Sequence, residues 1–505
     1  MKYIDHFLDR ITMYRLVLYY LIVLLGVAVV YSYLHILMYP VINIGISIGV
    51  LLSVSWITDR VFAWAFKAPT NFESVYITVC ILALIITPIN AKSGIVFLGW
   101  AAVWGVASKY IFAIGKKHIF NPVAIAVVLT SFGFGQSASW WVGNAWMMPF
   151  VVVGGLLIVR KIRREDLVWS FFFAALVTIS LFTVLNGGDL FSVYQKVALH
   201  SSLFFLAFVM LTEPLTTPPT KKLQILYGGL VGILFAPQIH FFGIYSTPEL
   251  ALVIGNIFSY IVSPKQKLIL QLKEKIKVSE GVLDFIFTPH KKMTFVPGQY
   301  MEWTLPHKRV DSRGNRRYFT IASSPTEDHI RLGAKFYNPG SSYKKELARL
   351  DDKTPMVAAQ LAGDFTLPNN KGQKLVFVAG GIGVTPFRSM IKYLIDKNEK
   401  RDVILFYANK TADEIAYREV FDEAQKKLGI KTVYTVTDKN ALPSNWQGRV
   451  GRIDAQMIQD EVPDYLERVF YLSGPQALVS GLEKILSTIG VKKKQIKKDY
   501  FPGLV

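Results

Sequence analysis

Hydrophobic and polar positions divide this chain into two halves of different character. The first half consists of long apolar runs with few charges, whereas the second half mixes charged and apolar positions at short intervals. A helix that crosses a bilayer needs roughly 20 apolar residues, and ten runs of the first half approach that length. They lie near residues 16–38, 41–58, 72–89, 94–113, 120–135, 146–159, 167–185, 197–211, 223–242 and 249–263.

Basic residues between these runs are concentrated in alternate loops. The remaining loops carry only Lys92 and Lys196. Cytoplasmic loops of membrane proteins are enriched in Lys and Arg, so the alternation predicts a polytopic α-helical domain in the plasma (inner) membrane, with both termini in the cytoplasm. The loop cations are Arg60, Lys67, Lys116, Lys117, Arg160, Lys161, Arg163, Arg164, Lys221 and Lys222.

The spacing of prolines predicts that the ten helices form two units of five. Pro88 and Pro122 are separated by the same interval as Pro214 and Pro248. The first proline of each pair would end a helix, and the second would begin one. Five helices per unit would make the second unit an inverted repeat of the first, an arrangement that places binding sites near the midplane. Prolines also often flank membrane helices, and two equal intervals can arise by chance. A helical bundle without an internal repeat is therefore the alternative interpretation.

The second half has the pattern of a soluble α/β protein. Short apolar runs such as Val282–Phe287 recur as far as Leu367, which predicts an antiparallel β-barrel. From Lys374 onward, apolar strands alternate with helices, and this order predicts a parallel doubly wound sheet. The predicted domains are residues 1–264, 265–368 and 369–505.

Composition narrows the chemistry further. Cys80 is the one cysteine of 505 residues, which excludes internal disulfides and iron–sulfur clusters held by several thiolates. The formal net charge is +20, and we attribute it to the anionic inner face of a membrane. No nucleic-acid-binding module is recognisable, so nucleic acid is not an expected partner. We nominate no metal site.

Two segments of the second half carry candidate cofactor chemistry. Arg317, Phe319 and Thr320 offer a cation for a pyrophosphate, an aromatic face for an isoalloxazine ring and a hydroxyl for the ring's N5. Strand alternation would put Arg317 and Phe319 on one face. Residues 380–386, Gly-Gly-Ile-Gly-Val-Thr-Pro, follow a strand and precede a helix, where glycines let a dinucleotide approach the helix N-terminus.

These segments resemble the ferredoxin–NADP reductase superfamily, in the same order and over nearly the whole second half. The resemblance implies FAD and NADH or NADPH as cofactors, and NADH is slightly preferred because Lys410 and Arg418 are weak candidates for a 2′-phosphate pocket. Ser473 stands where the family has Cys, and no terminal Tyr caps the flavin. The implied FAD-binding residues are Tyr300, Arg317, Phe319, Thr320, Ser341, Ser342 and Phe501. The implied NAD(P)H-binding residues are Gly380, Gly381, Gly383, Thr385, Pro386, Ser473, Gly474 and Pro475.

The first half resembles the flavin-carrying membrane proteins of the respiratory Rnf and Nqr complexes. The resemblance lies in residues 120–124, Phe-Asn-Pro-Val-Ala, and residues 211–228, which include Thr-Glu-Pro-Leu-Thr-Thr. The family attaches FMN to a loop Thr, but the corresponding loop, residues 139–145, has none. The resemblance therefore implies a noncovalent membrane flavin, FMN or riboflavin. Its candidate residues are Asn121, Pro122, Thr212, Glu213, Pro214, Thr216 and Thr217. Helix-end chemistry is the structural alternative for them.

Together these patterns predict transmembrane electron transfer. NAD(P)H would reduce FAD in the cytoplasm, and electrons would pass through a membrane flavin to an extracytoplasmic acceptor, such as a flavinylated protein, or to a quinone. The flavin itself does the chemistry, so no catalytic side chain is nominated beyond those that place it.

Two other readings stay open. One is a flavin or ion transporter with a fused reductase. The other is a haem-type ferric or oxygen reductase, although the histidines of the first half do not fall in pairs on one helix. They are His6, His35, His118, His200 and His240.

Overall fold

The computed structural model describes residues 7–8, 11–66, 72–89, 92–114, 117–264, 268–307, 311, 314–337 and 340–501. Within these residues the chain forms two compact units, Met1–Ser263 and Pro264–Val505. The loop cations Lys67 and Lys116 lie outside the described residues, as does residue 265, the first residue of the second predicted domain. The side chain of Phe501 is also outside the described part, although its backbone belongs to the last strand.

The first unit is helical. Its helices are α1 (Met13–Tyr33), α2 (Val41–Ala65), α3 (Phe72–Ile85), α4 (Lys92–Ile111), α5 (Pro122–Phe134), α6 (Met148–Ile162), α7 (Glu165–Leu185), α8 (Leu190–Leu199), α9 (Leu203–Phe205, continued by a π-helical turn, Leu206–Met210), α10 (Lys221–Leu234) and α11 (Pro248–Val262). Two short hairpins join them, β1 (Ala113–Ile114) with β2 (Lys117–His118) and β3 (His240–Phe241) with β4 (Ile244–Tyr245).

The number of long helices is smaller than the ten spans that the apolar runs predict. Among the described residues, four helices are long and apolar enough to cross a membrane: α1, α2, α7 and, within α4, Gly94–Ile111. A fifth is possible if α8 and the stretch Leu203–Met210, bent by 59°, form one span. At a rise of 1.5 Å per residue, the 13 residues of α5 extend about 20 Å, less than the roughly 30 Å of a bilayer core.

Prolines set the beginnings of the short helices, as the sequence predicts. Pro122 and Pro248 occupy the first turns of α5 and α11, where a missing N–H costs no hydrogen bond. Asn121 caps α5 by accepting from the amides of Val123 and Ala124, both at 3.1 Å. Thr247 caps α11 in the same way. The proline therefore starts a new helix instead of prolonging the preceding apolar run.

Two stretches of the helical unit have a similar order of elements. In the first half α2 packs against α4, the hairpin β1–β2 follows, and α5 begins at a proline. In the second half α7 packs against α10, the hairpin β3–β4 follows, and α11 begins at a proline. The short helices α5 and α11 pack against each other. The equal interval between prolines thus coincides with a similar order of elements, and the inverted repeat stays a prediction.

The second unit begins with a curled antiparallel sheet. Its strands are β5 (Leu268–Ser279), β6 (Val282–Pro289), β7 (Tyr300–Thr304), β8 (Arg316–Thr320), β9 (Ile330–Lys335) and β10 (Met356–Ala362), in the order β8-β7-β10-β5-β6-β9. One face is apolar, with Phe285, Phe287, Met301 and Trp303 fully buried. Helix α12 (Ser342–Arg349) closes this core with Tyr343 and Leu347.

A parallel sheet follows, as the alternation of strands and helices predicts. Its strands are β11 (Leu375–Gly380), β12 (Val403–Asn409), β13 (Lys431–Val436), β14 (Arg449–Val450), β15 (Val469–Pro475) and β16 (Ile496–Phe501). The accompanying helices are α13 (Thr385–Asp396), α14 (Arg418–Leu428), α15 (Ala455–Glu461) and α16 (Gln476–Thr488). The order β14-β13-β12-β11-β15-β16 reverses direction between β11 and β15. Ligands of such sheets bind beyond the carboxyl ends of the strands at this point.

Candidate flavin and nicotinamide site

The predicted flavin residues lie at the edge of the antiparallel sheet. Strands β7 and β8 pair so that Tyr300 faces Thr320, Met301 faces Phe319 and Trp303 faces Arg317. Residues directly opposite in an antiparallel pair share a face. Arg317 and Phe319 are therefore on one face, as predicted, and Tyr300 and Thr320 are on the other.

Arg317 and Phe319 converge on the first turn of α12. The Arg317 guanidinium carbon lies 5.0 Å from the centre of the Tyr343 ring, and the Phe319 ring centre lies 6.0 Å from it. Ser341 caps the helix by accepting from the Lys344 amide at 3.2 Å. This packing brings a cation beside a helix N-terminus, the combination that binds phosphate in many proteins.

An internal carboxylate demonstrates that this corner accepts an anion. The Asp311 carboxylate accepts from the Ser342 amide at 2.9 Å and lies 3.6 Å from an Arg317 guanidinium nitrogen. The Ser342 hydroxyl accepts from the Asp311 amide at 3.0 Å. The Arg317 guanidinium and the Ser342 amide, which the sequence assigns to a pyrophosphate, thus both contact the Asp311 carboxylate. The hydroxyls of Ser341 and Ser342 have other roles, since they cap α12 and bind the Asp311 amide.

The hydroxyl of Thr320 is buried and, among the described residues, has no hydrogen-bond partner. A buried hydroxyl without a partner costs about 1–3 kcal/mol. Ser473, at the end of β15, is in the same situation and is fully buried. Both hydroxyls stand at positions where the sequence predicts a flavin and a nicotinamide. A cofactor bound at these positions would supply the hydrogen-bond partners that the two hydroxyls lack.

The glycine-rich turn packs against the end of β15. A Cβ on Gly383 would come within 2.5 Å of the Gly474 Cα and 2.6 Å of the Ser473 carbonyl oxygen. A Cβ on Gly380 would lie 2.8 Å from a Leu478 methyl carbon. Packing alone therefore accounts for the lack of a side chain at two of these glycines, and their predicted role in binding the dinucleotide stays a prediction. They are small because the turn touches the neighbouring strand.

Gly381 does face open space. Its φ is +53°, a conformation that glycine adopts readily, and an added Cβ would meet no atom within 4 Å. The turn continues into α13, where Pro386 lies in the first turn and no side chain caps the helix. Thr385 secures the turn by donating its hydroxyl to the Ile382 carbonyl at 3.2 Å. The start of α13 is thus suited to a pyrophosphate.

Strand pairing brings the remaining predicted residues to the same edge. Ala379 of β11 is paired with Ser473, and Gly474 and Pro475 follow at the end of β15. Pro475 is paired in turn with the backbone of Phe501. The segments 380–386 and 473–475, nearly 90 residues apart in sequence, therefore form one wall.

Sequence reasoning missed a buried ionic cluster behind this wall. Arg388 of α13 donates to the Ala322 carbonyl at 3.0 Å and binds both carboxylate oxygens of Glu327, with Nη2 to Oε1 at 2.9 Å. Burial alone would raise the pKa of the Glu327 carboxyl, but hydrogen bonds and the charge of Arg388 hold this pKa below its ordinary value. An arginine in the apolar first turns of α13 was the available signal.

The residues suggested for a 2′-phosphate pocket have carboxylates beside them. Arg418 pairs with Asp422 at 3.5 Å and lies over the Tyr434 ring at 5.1 Å. The Lys410 amide donates to Glu414 at 3.4 Å, which places a carboxylate beside it.

The predicted membrane-flavin residues form a closed polar cluster in the helical unit. The Glu213 carboxylate accepts from the Asn121 side chain at 2.9 Å, and its other oxygen lies 3.1 Å from the His118 ring. Asn121 also donates its backbone amide to Asn256, at 2.7 Å, and Asn256 donates to the Tyr227 hydroxyl. The structure thus brings Asn121 and Glu213 together from two distant segments of the chain.

The threonine hydroxyls near this cluster are bonded to nearby carbonyl groups. Thr212 donates to the Phe208 carbonyl at 2.8 Å, and Thr217 donates to that of Pro214 at 3.2 Å. Thr216 is 3.3 Å from a Glu213 carboxylate oxygen. These contacts are the helix-end chemistry that the sequence leaves as the alternative. They show no orphaned donor for a second flavin at these threonines.

Both sheets, the glycine-rich turn and the topological switch define a flavin–nicotinamide reductase fold in the second unit. In line with this, residues 377–484 match the family model described as "Oxidoreductase NAD-binding domain". The match covers most of the parallel sheet and its helices, the part of the second unit that the sequence predicts to bind a nicotinamide cofactor.

Similar proteins match this unit. The flavohemoprotein of Bacillus cereus is 27% identical over 241 residues, which are 45% of this chain and 59% of that relative. The glycine betaine monooxygenase reductase component of Pseudomonas aeruginosa is 23% identical over 208 residues, 41% of this chain and 56% of that protein. The chain thus spans less than two thirds of each of these curated relatives.

Among solved structures, the flavohem-like FAD/NAD-binding domain of nitric oxide dioxygenase from Vibrio cholerae is 21% identical. The match covers 46% of this chain and 98% of the Vibrio cholerae domain, with a TM-score of 0.41.

Proposed function

We propose that this protein oxidises cytoplasmic NAD(P)H through FAD in its second unit and passes the electrons through its helical unit to an acceptor on the other side of the membrane. The observation that carries the reductase part is the pair of buried hydroxyls without partners, Thr320 and Ser473, among the residues that the structure describes. They lie at two sequence-predicted cofactor positions in one unit. The family match supports the nicotinamide part.

The FAD-binding roles follow from the packing around α12. Arg317 and the α12 N-terminus hold the pyrophosphate and take over the contacts that Asp311 makes. Tyr300 lies against the ring system on the face of the sheet that also carries the Thr320 hydroxyl, which faces the ring's N5. Phe319 packs with Arg317 on Tyr343 at the pyrophosphate end. When bound, FAD supplies acceptance of a hydride and release of single electrons. The protein supplies position and exclusion of water.

The dinucleotide binds at the turn before α13. Gly381 and the amides of the uncapped helix start approach its pyrophosphate. Ser473 and Pro475 lie at the nicotinamide end, where the Ser473 hydroxyl gains a partner. The environment of Lys410 and Arg418 favours NADH over NADPH. No side chain acts as a general acid or base.

The membrane part rests on the helical unit. Four of its described helices, or five with the bent pair, have the length and apolar composition of membrane spans, and their loop charges predict cytoplasmic termini. A bilayer core of about 30 Å is long for one electron-transfer step, so an intermediate carrier is required. The Rnf and Nqr resemblance suggests a noncovalent FMN or riboflavin. The acceptor is a flavinylated extracytoplasmic protein or a quinone.

A second candidate function is transport of an ion or a flavin with a fused reductase. The observation that favours it is the buried polar cluster of Asn121, Glu213 and Asn256 between apolar helices. Polar groups inside membrane proteins often mark transport pathways. Sodium- or proton-dependent turnover would distinguish this candidate from simple electron transfer.

The test is an absorption spectrum of the detergent-purified protein before and after addition of NADH, with flavin quantified after acid precipitation. More than one released flavin per chain, all bleached by NADH and without a haem band, supports a flavin relay. One bleached flavin per chain supports the reductase and leaves the helical unit as an anchor or transporter. Absence of flavin bleaching contradicts the proposal, and a haem band favours the haem-type reductase.

A further inference from the structure

The chain that follows the candidate flavin hydroxyl is held firmly by α13. Residues 321–324, which come directly after Thr320, are fully buried. Two consecutive carbonyls of this segment accept from α13 side chains: Ala322 from Arg388 at 3.0 Å, and Ser323 from the Ser389 hydroxyl at 2.6 Å. Both donors lie in the first turns of α13, next to the candidate dinucleotide site.

Glu327 completes this connection. One of its oxygens accepts from the Ser324 amide at 2.6 Å, and both oxygens bind the Arg388 guanidinium. The Glu327 carboxylate therefore binds both the backbone that follows the candidate flavin residue Thr320 and helix α13, which begins at the candidate nicotinamide site. The side chains of Arg388 and Glu327 are only 4% and 16% exposed, so solvent screens the pair weakly.

Arg388 is held in place by Tyr417, which is bonded in turn to Asp284. Its guanidinium carbon lies 5.7 Å from the centre of the Tyr417 ring, and the Tyr417 hydroxyl donates to Asp284 of β6 at 3.1 Å. Tyr417 has a φ of +59°, which is strained for a bulky residue. Arg331 binds Asp284 at 2.8 Å. Backbone strain of this kind persists only where the surroundings impose it, and it often occurs near functional sites.

Stability alone does not explain a buried ion pair. The desolvation of two charges offsets most of their attraction, and well-packed apolar residues of similar volume are often as stable. A bidentate Arg–carboxylate pair does provide fixed geometry. Here that geometry joins the two cofactor positions.

We propose that Arg388 and Glu327 are positioning residues for hydride transfer, which hold the Thr320–Ser324 segment and the start of α13 in a fixed relation. The inference rests on the proposed function of the second unit. In the step concerned, a hydride leaves C4 of the dihydronicotinamide, which becomes oxidised nicotinamide, and adds to N5 of the flavin, which is reduced. Small errors in such alignment slow a reaction strongly.

The test is anaerobic single-turnover reduction of the purified full chain by NADH. R388M removes the pair, R388K keeps the charge and loses the fork, and E327Q removes the negative partner. The matched controls are R468M and R468K. Arg468 is equally buried and binds Asp402 with two nitrogens, at 2.7 and 3.0 Å. It lies at the opposite end of β15, about 16 Å from Ser473.

We expect R388M to lower the rate constant of flavin reduction at saturating NADH by about 10- to 100-fold, while the FAD content changes less than about twofold. R388K restores part of the rate. The primary deuterium isotope effect with 4-deuterated NADH rises in R388M, and the long-wavelength absorption of reduced protein mixed with NAD⁺ weakens. R468M and R468K keep the wild-type rate constant, even if their melting temperatures fall.

A wild-type rate constant and isotope effect in R388M, or in R388K if R388M does not fold, overturns the inference. Equal slowing by the Arg468 controls also overturns it, because the effect would then reflect general destabilisation. If the wild-type protein holds no FAD or is not bleached by NADH, the proposed function itself fails, a result distinct from normal reduction in all the variants.

Discussion

Buried hydroxyls at the candidate cofactor residues differ between the two units of this protein. In the reductase unit, the hydroxyls of Thr320 and Ser473 are buried without partners among the described residues. In the helical unit, the hydroxyls of Thr212 and Thr217 donate to nearby backbone carbonyls. At a predicted cofactor position, an unsatisfied polar group fits a ligand that would supply its hydrogen bond, because its desolvation is otherwise a net loss. A satisfied group needs no ligand to explain it.

The largest expected effect tests the packing of the glycine-rich turn. Gly383→Val places side-chain atoms against the backbone of Ser473 and Gly474, which cannot move aside as a flexible side chain can. We expect NADH-dependent flavin reduction to fall by at least about 1,000-fold, since a misplaced reacting group loses orders of magnitude in rate. FAD, held by the other domain, stays bound. Stopped-flow absorbance and flavin content check this.

Gly481→Ala is the control for this change. Gly481 lies in α16 of the same unit, and an added Cβ there meets no atom within 4 Å. Alanine favours a helix interior by roughly 1 kcal/mol over glycine, so folding should be kept or improved. Normal reduction in Gly383→Val would contradict the placement of the nicotinamide at this turn.

Removal of the cation at the α12 N-terminus should mainly weaken flavin binding. Arg317→Ala takes away the guanidinium that lies over Tyr343 and beside Asp311. A charge-assisted contact of about 1.5–3 kcal/mol corresponds to an FAD affinity roughly 10- to 100-fold weaker. Fluorescence titration of the flavin-stripped protein with FAD measures it.

Arg316→Ala is the neighbouring control. Arg316 is on the opposite face of β8 and is largely exposed, 3.5 Å from Glu302. It should leave FAD affinity unchanged within about twofold, since its partner is the carboxylate of Glu302 and not the group beside the α12 N-terminus. An equal loss in both variants would show that charge in general, and not the position of Arg317, attracts FAD.

A pair of conservative substitutions tests the contrast between the units directly. Thr320→Val removes an unsatisfied hydroxyl, so the flavin-free protein should keep or gain thermal stability. Flavin reduction should slow by about tenfold, because the variant loses one hydrogen bond to the flavin. Thr212→Val removes a satisfied hydroxyl. It should cost about 1 kcal/mol of stability and leave reduction by NADH unchanged. Melting curves and stopped-flow traces of both variants would reveal any reversal of this pattern.

The smallest effect concerns acid stability of the reductase unit. Hydrogen bonds from Arg468, then from Lys374, outweigh burial and lower the pKa of Asp464 from 3.8 to about 2. A depressed folded-state pKa contributes stability that is complete above about pH 4 and is lost as the pH falls toward 2. The difference in melting temperature between the wild-type protein and Asp464→Asn should shrink over that interval. A constant difference would mean that Asp464 is not ion-paired.

Much of the reductase unit could be predicted because local patterns determine it. Apolar strands, a glycine-rich turn and Arg317 with Phe319 at alternate strand positions need no knowledge of distant contacts. The packing role of Gly380 and Gly383 and the Arg388–Glu327 pair depend on segments far apart in sequence, so no local pattern reveals them. Their discovery required the tertiary structure.

The helical unit was less predictable for a related reason. Apolar runs show where helices lie, but not where prolines and caps divide them, so ten runs exceed the long helices observed among the described residues. The threonines of residues 212–217 look equally suited to a ligand and to a helix end until their acceptors are known. Hydrogen-bond satisfaction is a property of the fold.

The central claim is that electrons from NADH cross the membrane through this chain. The most direct measurement uses the full chain in sealed vesicles with ferricyanide, which does not cross lipid, trapped inside and NADH added outside. The account predicts loss of internal ferricyanide absorbance that depends on NADH and stops in Gly383→Val. Reduction of external ferricyanide alone, with the internal pool unchanged, would contradict it.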